Sequence, residues 1–243
     1  MRFIPLASSS AGNAYLVEDG ESRLMIECGV SYRKLQRLTG FRTADICGCL
    51  LSHEHRDHAG CYLQLLKNGI PVYASEGTAA ALDCSLLTPL QDRNAVSIGS
   101  YDVLPFPTFH DAAEPLGFLI RSRADGEKLA FATDTVNLGY QFPGLNLLAV
   151  ECNYDEDILS QAERMPEKVR YRVQNSHMSV MRLCAWLKTL DMSRMREAYL
   201  MHLSDACSNE KASLRMVSTV CPSWVRVTVC PKEAPPLLYE GRT

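Results

Sequence analysis

The amino-acid sequence predicts an α+β fold in which two sheets lie face to face with helices outside them, a four-layer αββα sandwich. Three observations carry this expectation. Short apolar strands meet helical stretches in both halves of the chain, and the two halves share that pattern. At 243 residues, with 47% hydrophobic and 22% charged side chains, the composition is that of an ordinary globular protein. Neither a low-complexity tract nor an obvious linker divides it, so one domain spanning 1–243 is expected. Periodicity alone would also permit a three-layer α/β fold; the motifs below favour the sandwich.

In order along the chain, strands are predicted at Phe3–Ala7, Ala14–Val17, Leu24–Cys28 and Ile46–Ser52, with a helical stretch near Ser31–Leu38. Residues 59–68 and 76–83 read as helices on either side of a strand at Ile70–Ala74. Further strands are expected at Ala95–Ile98, Val103–Phe109, Gly117–Arg121, Lys128–Thr133 and Leu145–Glu151. Helices follow at about 155–163 and 179–190, then a strand at Ala198–His202, a helix at 209–219 and a closing strand at Val225–Val229. Ala234-Pro235-Pro236 marks an irregular tail.

The formal charge of −3 conceals an uneven distribution. Residues 97–157 hold ten acidic and three basic side chains, whereas 164–196 hold eight basic and two acidic. Bound cations could balance the first stretch. The second suits a polyanionic substrate, or is simply a solvated face. The ten cysteines could suggest disulfides, but MRFIPLASSS lacks the apolar run of a secretion signal and no segment reaches membrane-spanning length. A reducing, cytoplasmic setting without membrane association is therefore expected. Cys28, Cys47, Cys49, Cys152, Cys184 and Cys230 sit in apolar runs, where a thiol packs as a small hydrophobe, and no paired C-x-x-C zinc spacing occurs.

The chemistry concentrates in one place. Strand Cys47–Ser52 runs into His53-Glu54-His55-Arg56-Asp57-His58, four metal-capable side chains in six residues. Spacing by two in an extended turn sends His53 and His55 the same way, while Asp57 and His58 begin a helix and can face a second ion. The alternative is that three histidines merely cap a strand and a helix. His110, His177 and His202 stand at strand ends or before a helix, and Asp134 ends the apolar strand before it. An isolated histidine is usually structural, but a nearby cluster still needing ligands shifts that balance. Asp134 could bridge two cations or cap the following turn.

In order, His53-x-His55-x-Asp57-His58 followed by His110, Asp134 and His202 resembles the ligand series of the metallo-β-lactamase superfamily. The resemblance implies His53, His55 and His110 on one metal, Asp57, His58 and His202 on the other, and Asp134 bridging. A water between the ions would be the nucleophile, with Asp57 among the catalytic residues. Leu6-Ala7-Ser8-Ser9-Ser10-Ala11-Gly12-Asn13-Ala14, Glu27-Cys28-Gly29, His110-Asp111-Ala112-Ala113-Glu114-Pro115-Leu116-Gly117, Asn153-Tyr154-Asp155-Glu156-Asp157, Ser176-His177-Met178-Ser179 and His202-Leu203-Ser204 are similar to the YycJ/WalJ group. That group is nuclease-like, and its outline also resembles the tRNase Z and cyclic phosphodiesterase branches. Glu27 stands where the group usually has Asp, Ser176 where Gly is usual, and Val180 where Asn is usual.

His177 is left over once the metal series is complete. In the phosphodiesterase branches a histidine in this position resembles a general acid, which makes His177 a catalytic candidate; the plain alternative is a helix N-terminal histidine bonded to a backbone carbonyl. A phosphodiester leaves as an alkoxide and needs an acid, and its charge needs cations, for which Arg164, Lys168, Arg170 and Arg172 are candidates. The run Ser8-Ser9-Ser10-Ala11-Gly12-Asn13 either aims backbone N–H groups at a phosphate or is a plain hairpin turn. The expected function is a phosphodiesterase or nuclease, with nucleic acid or another phosphodiester as substrate. An acyl or thioester hydrolase of glyoxalase II or lactamase type remains the alternative, and a binding module that lost its chemistry a further one. Two divalent ions are expected; zinc suits the donors best, and manganese or iron accepts the same residues.

Overall fold

Near-continuous apolar runs let the early strands bury both faces, and in the computed structural model, which describes residues 1–162 and 165–237, six strands form one sheet. These are β1 (Arg2–Ala7), β2 (Ala14–Glu18), β3 (Arg23–Cys28), β4 (Ile46–Leu50), β5 (Val72–Ser75) and β6 (Thr88–Leu90), side by side in chain order. The first three are antiparallel, and β3 through β6 are parallel. Parallel neighbours need crossovers, supplied by α1 (Tyr32–Leu38), α2 (Arg56–Ala59), α3 (Tyr62–Lys67) and α4 (Glu76–Ala81).

The second sheet repeats the plan. It runs β7 (Val96–Ile98), β8 (Tyr101–Pro107), β9 (Leu116–Ser122), β10 (Lys128–Ala132), β11 (Leu147–Glu151), β12 (Glu197–Met201) and β13 (Arg226–Val229), again adjacent in order. β7 to β10 are antiparallel and β10 to β13 parallel, with α5 (Glu156–Ser160), α6 (Glu167–Ser176), α7 (Val180–Leu187) and α8 (Glu210–Val220) in the connections.

Three apolar layers hold the four layers of structure together. Phe3, Tyr15, Val17 and Ile26 of the first sheet meet Val103, Phe118, Ile120 and Phe131 of the second, the rings of Tyr15 and Phe131 lying 5.4 Å apart, edge to face. Outside the first sheet, Leu35 and Leu38 of α1 and Leu65 of α3 cover Leu16, Met25 and Val72. Outside the second, Val180, Leu183 and Leu187 of α7 and Val217 of α8 cover Leu148, Val150 and Leu200. Each such fully buried aliphatic side chain is worth about 1.5–3 kcal/mol against exposure. The αββα sandwich expected from the strand and helix pattern is the architecture observed.

The topology also decides where a site can form. β8 and β10 to β12 run in one direction, as do β3 to β5, so their carboxyl ends collect along one edge of the sandwich. All ten cysteines are free. Among the described residues no helix is long and apolar enough to cross a membrane. The tail from Pro231 to Leu237 has no regular structure but is docked: the N–H groups of Ala234 and Leu237 donate to the carbonyls of Leu6 and Leu38.

Candidate metal centre

All six histidines of the chain converge on that edge. Ring centroids step from His58 to His53 (4.2 Å), His55 (4.6 Å), His110 (5.1 Å), His177 (5.1 Å) and His202 (5.5 Å), and His202 returns to within 5.5 Å of His58. They arrive from four stretches of chain, three of them from 53–58. His53 and His55 follow β4, Asp57 and His58 lie in the single turn of α2, His110 follows β8, Asp134 follows β10 and His202 follows β12.

The ligand atoms fall into groups whose members lie within 4.8 Å of one another: His53, His55, His110 and Asp134 form one, and Asp57, His58 and His202 another. Asp134 stands between them. Its Oδ2 is 3.8 Å from His53 Nε2, 3.4 Å from His58 Nε2 and 3.5 Å from His110 Nε2, while its Oδ1 is 2.9 Å from His202 Nδ1. Burial opposes ionisation of Asp134, yet His202 and His58 outweigh it and hold the carboxyl well below the usual range.

Two of the rings face inward because their outer nitrogen is engaged. His110 Nδ1–H donates to the carbonyl of Ser176 at 2.7 Å, which leaves Nε2 for the centre. Ser52 Oγ is 2.8 Å from His53 Nδ1, so His53 also presents Nε2. Behind His58 lies the fully buried Glu27, its Oε2 3.4 Å from Nδ1, and Glu27 Oε1 accepts from the N–H of Ser52. Ser8 Oγ accepts from the N–H of His202, and Asn13 Nδ2 donates to the carbonyl of Asp57 and lies 3.2 Å from His58 Nε2. The serine loop is thus a hairpin connection between β1 and β2 that also braces two ligand segments.

Whether cations fit can be judged from the donor set. His53 Nε2 and His55 Nδ1 are 3.1 Å apart, and His110 Nε2 and His55 Nδ1 3.3 Å. His202 Nε2 is buried and, among the described residues, has no hydrogen-bond partner. Burial, followed by the neighbouring His58, drives the pKa of His53 well below its ordinary value, so its ring stays neutral and offers a lone pair. Burial lowers His110 as well, whereas at His58 and His202 burial is outweighed by Asp134 and the shift is upward; imidazoles and carboxylates packed this closely make a donor set that a metal ion fits.

The backbone is contorted where it delivers these groups. Glu27, Asp134 and His202 adopt φ of 62°, 44° and 54°, a left-handed conformation costing L-residues about 1–2 kcal/mol each. Gly29 has no such φ, but a Cβ there would lie 1.6 Å from the carbonyl oxygen of Asp57 and 2.7 Å from the nitrogen of His58. Gly29→Ala should therefore displace α2, lowering the melting temperature and the metal content together. Wild-type melting with full metal loading would show that α2 is not held by this contact.

His177 differs in its surroundings from the expectation of a histidine opening a helix. It closes α6 in an extended conformation, and the next helix begins only after Ser179. Its Nδ1–H donates to Glu151 Oε1 at 2.7 Å. Burial lowers the pKa of His177, but the Glu151 carboxylate outweighs it and the net shift is upward. Glu151, at the end of β11 and fully buried, also accepts from the N–H groups of Thr135 and Met178 and lies 3.2 Å from His202 Nδ1. Asp134, Glu151, His177 and His202 make a third close group. Sequence reasoning passed over Glu151, although its signal equals that of Asp134: a carboxylate ending an apolar strand. Of the proposed phosphate cations, Arg164 lies outside the described residues, Arg172 pairs with Asp111, and Arg170 donates to the carbonyls of Ala162 and Met165. Lys168 is exposed.

Comparison with known proteins adds four findings. A family profile described as "Beta-lactamase superfamily domain" matches residues 22–203. The chain is 30% identical over 223 residues to a Bacillus anthracis protein named exodeoxyribonuclease YycJ, covering 84% of this chain and 83% of that one. It is 28% identical over 246 residues to exodeoxyribonuclease WalJ of Streptococcus pneumoniae, covering 92% and 90% respectively. Among solved structures, Zn(2+)-bound PqqB from Methylobacterium extorquens superposes with a TM-score of 0.71 at 15% identity, over 96% of this chain and 99% of that one.

Proposed function

Because the chain belongs to the β-lactamase superfamily and is a metallo-hydrolase of that fold, what is open is its substrate, and we propose a two-metal phosphodiesterase that acts on nucleic acid. The observation that carries this reading is the His177–Glu151 pair: an imidazole beside the ligand groups, held by a buried carboxylate that outweighs burial and raises its pKa. Acyl transfer to water has little use for such an acid, whereas an alkoxide leaving phosphorus needs one. The relatives named exodeoxyribonuclease support the same substrate class.

His53, His55 and His110 would hold one ion, Asp57, His58 and His202 the other, with Asp134 shared. This mixed nitrogen and carboxylate set suits zinc, the ion named for the PqqB neighbour; manganese or iron would accept it too. A bound pair of divalent ions activates water near neutral pH and offsets charge on the phosphoryl group. The chain's own part begins with Glu151. It fixes Nδ1–H of His177, so that Nε2 carries the proton delivered to the leaving oxygen. Glu27, Ser52 and Ser176 keep the ligand rings in register.

The test is the metal-reconstituted protein against end-labelled single- and double-stranded DNA and RNA, bis(p-nitrophenyl) phosphate and a thioester. Cleavage of phosphodiesters is expected. Turnover of the thioester with inert phosphodiesters would replace this reading with acyl hydrolysis.

A further inference from the structure

Beside the ligand cluster, on the side of the serine loop, the surface opens into a cavity of about 500 Å³. Ser10, Ser31, Tyr32, Lys34, Arg56 and Asp57 are among its walls. Asp57 is shared with the candidate metal centre, toward which its Oδ2 is turned, 3.4 Å from His58 Nε2 and 3.5 Å from His202 Nε2. That carboxylate is therefore committed inward, and the charge left facing the cavity is cationic.

The two cations differ in availability. Lys34 is paired with Glu233 at 2.8 Å. Arg56 is exposed and, among the described residues, no carboxylate or carbonyl engages its guanidinium. An unengaged guanidinium one residue before a metal-ligand candidate presents a planar fork that matches a phosphate. Tyr32 adds a half-buried ring, its hydroxyl 3.4 Å from Thr43 Oγ1, and a ring face accepts any base by stacking.

The cavity is bounded by backbone where Gly29 and Gly60 meet it. A Cβ on Gly60 would lie 3.1 Å from the carbonyl carbon of Gly29 and 2.9 Å from the Arg56 oxygen, so the chain crosses there with no slot between. The volume falls within the range of about 300–1,000 Å³ typical of small-molecule sites, room for one nucleotide and too little for a run of them. We propose that this cavity is the subsite for the phosphate-bearing terminal nucleotide of a nucleic acid strand, with Arg56 as its phosphate ligand and Tyr32 as its base platform. The proposal rests on the nuclease reading.

The test compares oligodeoxynucleotides carrying a 5′-phosphate, a 3′-phosphate or hydroxyls at both ends, together with calorimetric binding of deoxyadenosine 5′- and 3′-monophosphates to the metal-reconstituted protein. Wild type should prefer one phosphorylated end and bind the matching mononucleotide. Arg56→Gln should weaken that binding on the order of 10- to 100-fold, the loss of a charge-assisted pair, and erase the preference between ends. Arg56→Lys should restore part of it. Tyr32→Ala should weaken mononucleotide binding while leaving inorganic phosphate binding as it was. DNA cleavage with the same end preference in Arg56→Gln as in wild type, or products of internal cuts, would overturn the subsite while the nuclease reading stands. No cleavage of any nucleic acid would remove the nuclease reading and the subsite with it.

Discussion

Asp134→Ala should leave the protein unable to hold either ion and without measurable turnover. Asp134 is buried, and its two oxygens face different groups, Oδ2 toward His53, His58 and His110 and Oδ1 toward His202. Without it, neutral imidazoles would have to share the repulsion of two cations with no carboxylate between them. Alanine is also ill suited to the φ of 44° at this position, so Asp134→Asn is the sharper variant: Asn tolerates that conformation and removes only the charge. Both should lose metal by elemental analysis, and the Asn variant should keep its circular dichroism. Asp57→Ala, by contrast, should mainly empty the site shared with His58 and His202. Two ions per chain in the Asp134 variants would move the bridging role elsewhere, with Glu151 the next carboxylate in reach.

His177→Ala should retain its metals and fold yet lose roughly 10²–10⁴ in turnover on an unactivated phosphodiester. With p-nitrophenolate as leaving group the loss should shrink, because little proton transfer is then needed. A merely structural histidine would depress both substrates alike and lower the melting temperature. The pH profile supplies an independent check. With the protonated ring as the proposed working form and its pKa raised by Glu151 against burial, activity should fall as pH rises through that raised value. Glu151→Gln removes the raising charge and should move the fall to lower pH. The stability contributed by the pair has the same sign: present in full below the ordinary histidine value, lost as pH climbs through the raised one. An alkaline limb unmoved by Glu151→Gln would separate Glu151 from the acid.

Most of this layout is legible in the sequence because the elements that build it are strongly periodic or punctuated. β2 to β4, β10 and β11 are nearly all-buried apolar runs, β8 and β12 are largely apolar, and the ligand candidates sit where such runs stop. α6 escaped notice for the opposite reason: of Glu167–Ser176 only Ser176 is buried, so no apolar stripe betrays the helix. The three-residue β6 and the short 3₁₀ turn at Thr43–Asp45 carry too few residues to show a period. Glu151 was hidden by its own strand, since Leu147–Glu151 is buried at every position and an acid at its end reads as a boundary. What it touches, His177 from 26 positions away, is a tertiary fact that spacing does not encode. Glu27 is similar: its nearness to His58 depends on β3 and β4 being parallel neighbours.

The candidate ligands are drawn from both sheets, His53 through His58 following β4 and His110, Asp134 and His202 following strands of the other sheet. Ions held there would act as rivets across the seam between two lamellae that otherwise adhere through the Phe3, Tyr15 and Phe131 layer. Rivet and glue then share one free energy. An ion present at about 100 times its dissociation constant adds about 2.7 kcal/mol to the closed arrangement, and the closed arrangement returns the same amount as affinity. A loosened ring in the middle of the seam, Phe131→Leu for instance, would accordingly surface as easier extraction by a chelator, although Phe131 is none of the proposed ligands.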